Sequence, residues 1–247
     1  MKQYVRVEGR RVVAYDSIGA GPPLICVPGG PGYGGDQLAR LGGLSATRTL
    51  LRVDLRGAGE SDPPDPARYG FADYAADLEV LRQQLELDRI DLLGHAHGGL
   101  VVAQYARTHA EHVGSIVLDG VPVRPVAEFD TGTETGVPDY FETYDSRAAH
   151  YVSDHMGRIH EPAMAWFWDN EAGVDFRALV GGVTAPTLLL TGEDDPMAGR
   201  PAVESLAATM QNASAVVIPR ASHFAWVENP AEYSDAVESF LHQHVHV

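Results

Sequence analysis

The sequence has one cysteine, one lysine and no apolar run near the ~20 residues of a helical bilayer crossing. A single cysteine, Cys26, excludes an intrachain disulfide and any zinc site built on paired thiolates. It lies in the apolar run Leu24-Ile25-Cys26-Val27 and reads as an inert buried thiol. The lone lysine, Lys2, leaves arginine to supply the other basic charges, a matter of composition more than chemistry. Acidic residues outnumber basic ones 34 to 18, and the formal net charge of −16 repels nucleic acid and anionic lipid. Neither is expected as a partner. The first eight residues alternate in strand fashion and lack a signal peptide's apolar stretch, so the expectation is a cytoplasmic protein.

Apolar residues make up 45% of the 247, ample for the core of a single domain. Strand-like and helix-like segments alternate. A hairpin around Gly9 opens the chain, followed by strands at 24–27, 50–54, 90–93, 115–119, 187–191 and 215–218. Helical periodicity marks 73–87, 100–108, 202–210 and 230–242, the last with Pro230 in its first turn and Asn229 as its expected cap. Such alternation predicts an α/β fold with a mostly parallel sheet covered on both faces. From about Pro122 to Gly182 the strand signal lapses and aromatics crowd in, among them Phe129, Tyr140, Trp166, Phe167 and Trp168. That is too long for a loop. The expectation is a helical cap, residues 122–182, inserted into a core formed by 1–121 and 183–247.

The most specific local pattern is Leu92-Leu93-Gly94-His95-Ala96-His97-Gly98-Gly99. A strand runs into a turn with glycine two before and two after its apex, and a helix follows at once. Such a turn reverses too sharply for side chains at 94 and 98, and it strains the apex residue so that its side chain stands above the sheet. The sequence here resembles the α/β-hydrolase family, which carries Gly-x-Ser-x-Gly at this elbow. It departs at the nucleophile, where Ala96 has no hydroxyl.

Three further segments carry the resemblance. Pro28-Gly29-Gly30-Pro31-Gly32 is similar to the His-Gly-Gly-Pro-Gly of prolyl iminopeptidases and related hydrolases, with proline in place of histidine. The resemblance implies an oxyanion hole made by the N–H groups of Gly30 and His97. Asp54-Leu55-Arg56-Gly57-Ala58-Gly59-Glu60-Ser61 matches a family turn that braces this loop. Gly192-Glu193-Asp194-Asp195-Pro196 resembles the acid turn, with Asp195 the implied carboxylate and Asp194 the second choice. Asp119 stands where some relatives keep their acid, but reads as a solvated strand-end residue. Ala221-Ser222-His223-Phe224 matches the histidine loop, and the order nucleophile, acid, histidine is the family's.

Other patterns compete weakly. Gly30-Pro31-Gly32-Tyr33-Gly34-Gly35 spells a dinucleotide fingerprint with Asp54 beyond it, but Pro28 and Pro31 disturb the turn and the elbow is left unexplained. His150, His155 and His160 are five apart and diverge by about 140° per step on a helix, and His242, His244 and His246 end the chain. No metal and no cofactor are expected.

The resemblance implies an acyl hydrolase for an ester, a lactone, or an amide or N-terminal peptide bond, acting on a small molecule or short peptide. Tyr33, Tyr140, Trp166 and Phe167 are the expected substrate contacts. Glu142, Asp145, Asp169 and Glu171 are unranked candidates for binding a substrate amine. Alanine at 96 reads as the replacement of a catalytic serine, of the kind made to trap a ligand. The alternative is a native alanine, either in a lyase or isomerase using His223 as general base or in a ligand-binding pseudo-hydrolase. Oligomeric state is not legible.

Overall fold

A computed structural model describes the whole chain except residues 8, 10, 66, 124, 126–136 and 245–247. Phe129 and His246 fall outside the described residues. Eight strands form one sheet in the order β1-β2-β4-β3-β5-β6-β7-β8. They are β1 (Lys2–Arg6), β2 (Val12–Gly19), β3 (Pro23–Val27), β4 (Thr49–Val53), β5 (Ile90–His95), β6 (Val113–Asp119), β7 (Thr187–Gly192) and β8 (Ala213–Ile218). β2 pairs antiparallel with β1 and β4, and every other pairing is parallel.

The central strands are buried on both faces, so successive side chains enter two different apolar layers. Ile25, Val27, Leu92 and Leu118 join one layer, whereas Leu24, Cys26, Leu93 and Val117 join the other. The first is covered by α1 (Phe71–Gln84), α2 (His97–Thr108), α5 (Phe176–Val180) and α6 (Arg200–Ala207). The second is covered by α7 (Ala225–Glu228), α8 (Pro230–Gln243) and Leu38, Leu41 and Leu44. Cys26 is wholly buried and its thiol is pushed well up by desolvation.

Helix ends differ from the sequence expectation where long-range contacts set them. α1 starts two residues early because the Glu171 carboxylate, a hundred positions away, accepts from the Phe71 N–H at 3.1 Å. It stops at Gln84 because Glu86 turns to φ +55°. Asn229 precedes α8 but does not cap it; its amide donates instead to the Pro219 carbonyl at 3.0 Å. Between β6 and β7 the described residues carry α3 (Ser146–His155), α4 (Glu161–Asn170) and α5.

The strand order places the site. From β3 the chain moves outward to β4, then returns to β5 on β3's other side and continues to β8. The reversal leaves a crevice beyond the carboxyl ends of β3 and β5, where open α/β sheets bind ligands. Val27 is in register with Gly94, and His95 with Asp119, so these strands end side by side. The turn after β5 packs against the end of β3 without clearance. A Cβ on Gly98 would lie 2.3 Å from the Val27 oxygen and 2.5 Å from the Pro28 oxygen. Gly98→Ala should cost about 1–3 kcal/mol in urea unfolding. Gly173→Ala, with nothing within 4 Å of the added carbon, should stay within about 1 kcal/mol of the parent.

Candidate active site

Ala96 is the single residue between β5 and α2, at φ +46°, ψ −113°. A residue with a Cβ rarely adopts this conformation. It is held by hydrogen bonds from its N–H to the Asp119 carbonyl at 2.8 Å and from the Gly99 N–H to its own carbonyl at 3.0 Å. α2 therefore begins at His97, three residues before its expected start, despite two glycines in its first turn. As the first helical residue, His97 has an N–H with no acceptor inside the helix.

The loop after β3 is pinned from behind. Gln37 Oε1 accepts from the Gly29 N–H at 2.6 Å. Asp54 accepts from the Gly35 N–H at 2.7 Å, the Glu60 N–H at 3.0 Å and Lys2 Nζ at 2.8 Å. Arg56 donates to Asp77 at 2.8 Å, tying the next turn to α1. The Asp54–Ser61 segment is thus a brace, and Lys2 is part of it. Gly30 turns at φ +58°, and a Cβ there would lie 2.7 Å from the Tyr33 ring. The glycine-rich loop leads into a short 3-10 turn, Gly35–Leu38, and not the long helix that a dinucleotide fingerprint requires.

His223 Nδ1 lies 3.0 Å from Asp195 Oδ2. The other Asp195 oxygen accepts from the Met197 N–H at 2.8 Å. Asp194 is exposed, so Asp195 makes the contact. Burial pulls the His223 imidazole down, but the charge and hydrogen bond of Asp195 and the charge of Asp119 outweigh it and raise its pKa. Burial raises Asp195, and His223 together with the Met197 N–H brings it below its ordinary value.

A second, buried histidine–carboxylate pair sits beneath the first. His95 Nδ1 approaches Asp119 Oδ2 at 3.3 Å without hydrogen-bond geometry, and Tyr233 Oη donates to the same oxygen at 3.1 Å. The His95 ring lies 4.5 Å from the His223 ring and edge-on to Trp226. Asp119 is 1% exposed, which corrects its reading as a solvated residue: β6 ends inside the protein, under α8. Burial pushes its carboxyl up to about 8 and drives His95 well below the histidine range. Both groups of this pair are shifted toward their neutral forms, whereas those of the upper pair are shifted toward their charged ones.

A cavity of about 340 Å³ opens over the apex. Gly30, Ala96, His97 and His223 all line it, as do Tyr33, Tyr140 and Phe167. Trp166 does not. On α4 the residues Met164, Phe167 and Trp168 share the cavity face at helical spacing, and Trp166 falls off that face and packs beside Gly70. Trp168, from the aromatic-rich segment but not among the expected contacts, also lines the cavity, as do Met156 and Ile159, which no local sequence signal marks. Among the described lining residues there is no aspartate, glutamate, lysine or arginine. The four amine-binding candidates lie elsewhere. Glu142 and Asp169 are exposed, Asp145 caps α3, and Glu171 caps α1 with its carboxyl raised by burial to about 7. No group of three potential metal ligands occurs among the described residues. No helix among them is long and apolar enough to cross a membrane.

Comparison with known proteins agrees with this architecture. A serine hydrolase of Mus musculus is 27% identical over 239 residues, 92% of this chain and 82% of its own. A proline iminopeptidase of Heyndrickxia coagulans is 33% identical over 118 residues, 47% of this chain and 41% of its own. A thermophilic esterase from Thermogutta terrifontis superposes with a TM-score of 0.82 at 24% identity, covering 99% of this chain and all of that one, a likeness of fold. The alpha/beta hydrolase fold model matches residues 22–174, more than half of the sequence. The chain belongs to the α/β-hydrolase family.

Proposed function

We propose that the chain is built for acyl hydrolysis of neutral esters or lactones, with residue 96 at the nucleophile position. The observation that carries this reading is the meeting, on one cavity, of the strained apex, the first N–H of α2 and the His223–Asp195 pair. With serine at 96, His223 would take the hydroxyl proton and Asp195 would hold the imidazole in orientation. The Gly30 and His97 amides would receive the charge that develops on the carbonyl oxygen. With alanine there, the chain binds the acyl group and turns it over slowly, because an oxyanion hole acts even without its nucleophile. The lining favours a neutral substrate over one bearing an ammonium group, for which the described cavity residues offer no carboxylate. Residues 122–182 serve as the cap in this reading, with Met156, Ile159, Met164, Phe167 and Trp168 on its inner face. α5 packs with α2 in the core layer and forms the cap's root.

A second reading rests on Ala96 itself. If alanine is the residue the chain evolved with, His223 is left to act on substrate or water directly, as in a lyase or isomerase, or only to bind a ligand.

The two readings separate on one substitution. Ala96→Ser should hydrolyse p-nitrophenyl butyrate at least about 10³-fold faster than the parent and be labelled by a fluorophosphonate. A folded variant that does neither favours the second reading. In that serine variant, activity should rise with pH as His223 deprotonates, with a midpoint above the ordinary ~6.5 because Asp195 raises the imidazole. Asp195→Asn should lower that midpoint and reduce kcat by roughly 10²–10⁴. Stability has the opposite sense: the pair's contribution is complete between the ordinary carboxylate and histidine pKa values, is lost as pH rises through that of His223, and is lost again as pH falls through that of Asp195. Urea midpoints across pH for the parent and Asp195→Asn measure it.

A further inference from the structure

The loop that carries His223 is held from two sides. On one side is the acid turn. The Asp194 N–H donates to the Ala221 carbonyl at 3.0 Å, and the Ser222 hydroxyl donates to the Asp194 carbonyl at 3.1 Å. On the other side is the segment that opens with a short 3-10 turn, Val137–Tyr140. The His223 N–H donates to the Tyr140 carbonyl at 3.1 Å, and the Tyr140 ring lies 5.2 Å from the imidazole. The Phe141 and Phe224 rings stack at 4.9 Å. A residue outside the proposed chemistry closes this zipper. Glu228, the last residue of α7, accepts the Ser222 N–H at 2.8 Å on one carboxylate oxygen. Its other oxygen accepts the Glu142 and Thr143 N–H groups at 2.7 and 3.3 Å.

A carboxylate suits this place because it offers one acceptor oxygen to each of two backbone segments. Glu228 is half-buried, and no lysine or arginine among the described residues pairs with it. Burial raises its carboxyl, and the three N–H groups oppose that rise. Glutamine has a single acceptor oxygen, and its NH2 would face one of the donors. Glu228 is not among the residues that line the cavity, whereas Val137, Tyr140 and Phe224 of the zipped unit are. We infer that Glu228 is a positioning residue for His223. It fastens the 142–143 backbone to the histidine loop, so that the imidazole is aligned on Asp195 only while the 137–143 segment is docked. The role given to His223 rests on the acyl-hydrolase reading, but the contact itself belongs to the parent chain.

Glu228→Asp is the decisive variant, because it keeps the charge and is one methylene too short to reach both sides. In the parent chain, ring NMR should show His223 titrating at least about half a pH unit lower in Glu228→Asp, since Asp195 is what raises it. The Nδ1 proton resonance should broaden or vanish with it. Glu228→Gln should do the same. In the Ala96→Ser background, Glu228→Asp should lower kcat on p-nitrophenyl butyrate at least about 5-fold, with KM within about 2-fold. A folded Glu228→Asp with a smaller fall in the His223 midpoint would overturn the inference, and so would a smaller loss of kcat. An effect confined to Glu228→Gln overturns it too, because charge alone would then explain it. If Glu228→Asp does not fold, amide exchange on the parent decides. The Glu142, Ser222 and His223 N–H groups should open as one unit, with exchange rates within about 5-fold of each other, and a wider spread refutes the inference. An inactive Ala96→Ser would defeat the hydrolase reading, while the parent's NMR titration still decides this one.

Discussion

A left-handed backbone at a residue bearing a Cβ costs on the order of 1–3 kcal/mol, and residue 96 sits there only because its surroundings leave no alternative. The Asp119 carbonyl holds its N–H, and its own carbonyl accepts from the first turn of α2. The glycines on either side let that turn close against β3. From this one constraint the rest of the cavity follows. The Ala96 Cβ stands above the sheet, the first N–H of α2 is left free of helical partners, and the flanking histidines are sent to opposite sides. His95 goes down to Asp119 and Trp226, and His97 goes across to Phe71 and Phe167.

The two stacked histidine–carboxylate pairs show how burial and hydrogen bonding divide the same chemistry. Asp195 receives a backbone N–H and a well-aligned imidazole, enough to keep its charge although it is buried. Asp119 receives a tyrosine hydroxyl and an imidazole at poor geometry, and desolvation wins. Desolvation favours the neutral forms of the lower pair, while hydrogen bonds and opposite charge favour the charged forms of the upper one.

Much of this was legible in the sequence because it is local. Gly94 and Gly98 belong to a strand-end turn whose geometry calls for glycine, and the loop from Pro28 to Gly32, Asp195 and His223 are named by the resemblance to strand-end turns of the family. What escaped is set across long separations. Trp168 and Trp166 are indistinguishable in composition; only the phase of α4 against the cavity separates them. The burial of Asp119 depends on Tyr233, 114 residues later. The start of α1 is decided by Glu171 and that of α2 by the Asp119 carbonyl that holds Ala96, against the propensity of its own glycines.

Lys2 illustrates how one braced residue narrows what can be done to the whole molecule. The chain's sole ε-amine is held at 2.8 Å on Asp54, with its side chain 11% exposed. From the outermost strand its side chain reaches across to Asp54, which also holds the Gly35 N–H. Reagents that acylate or cross-link lysine side chains therefore meet one guarded target, and attachment at Lys2 would break its ion pair with Asp54 and loosen the brace beneath the Gly29–Gly35 loop.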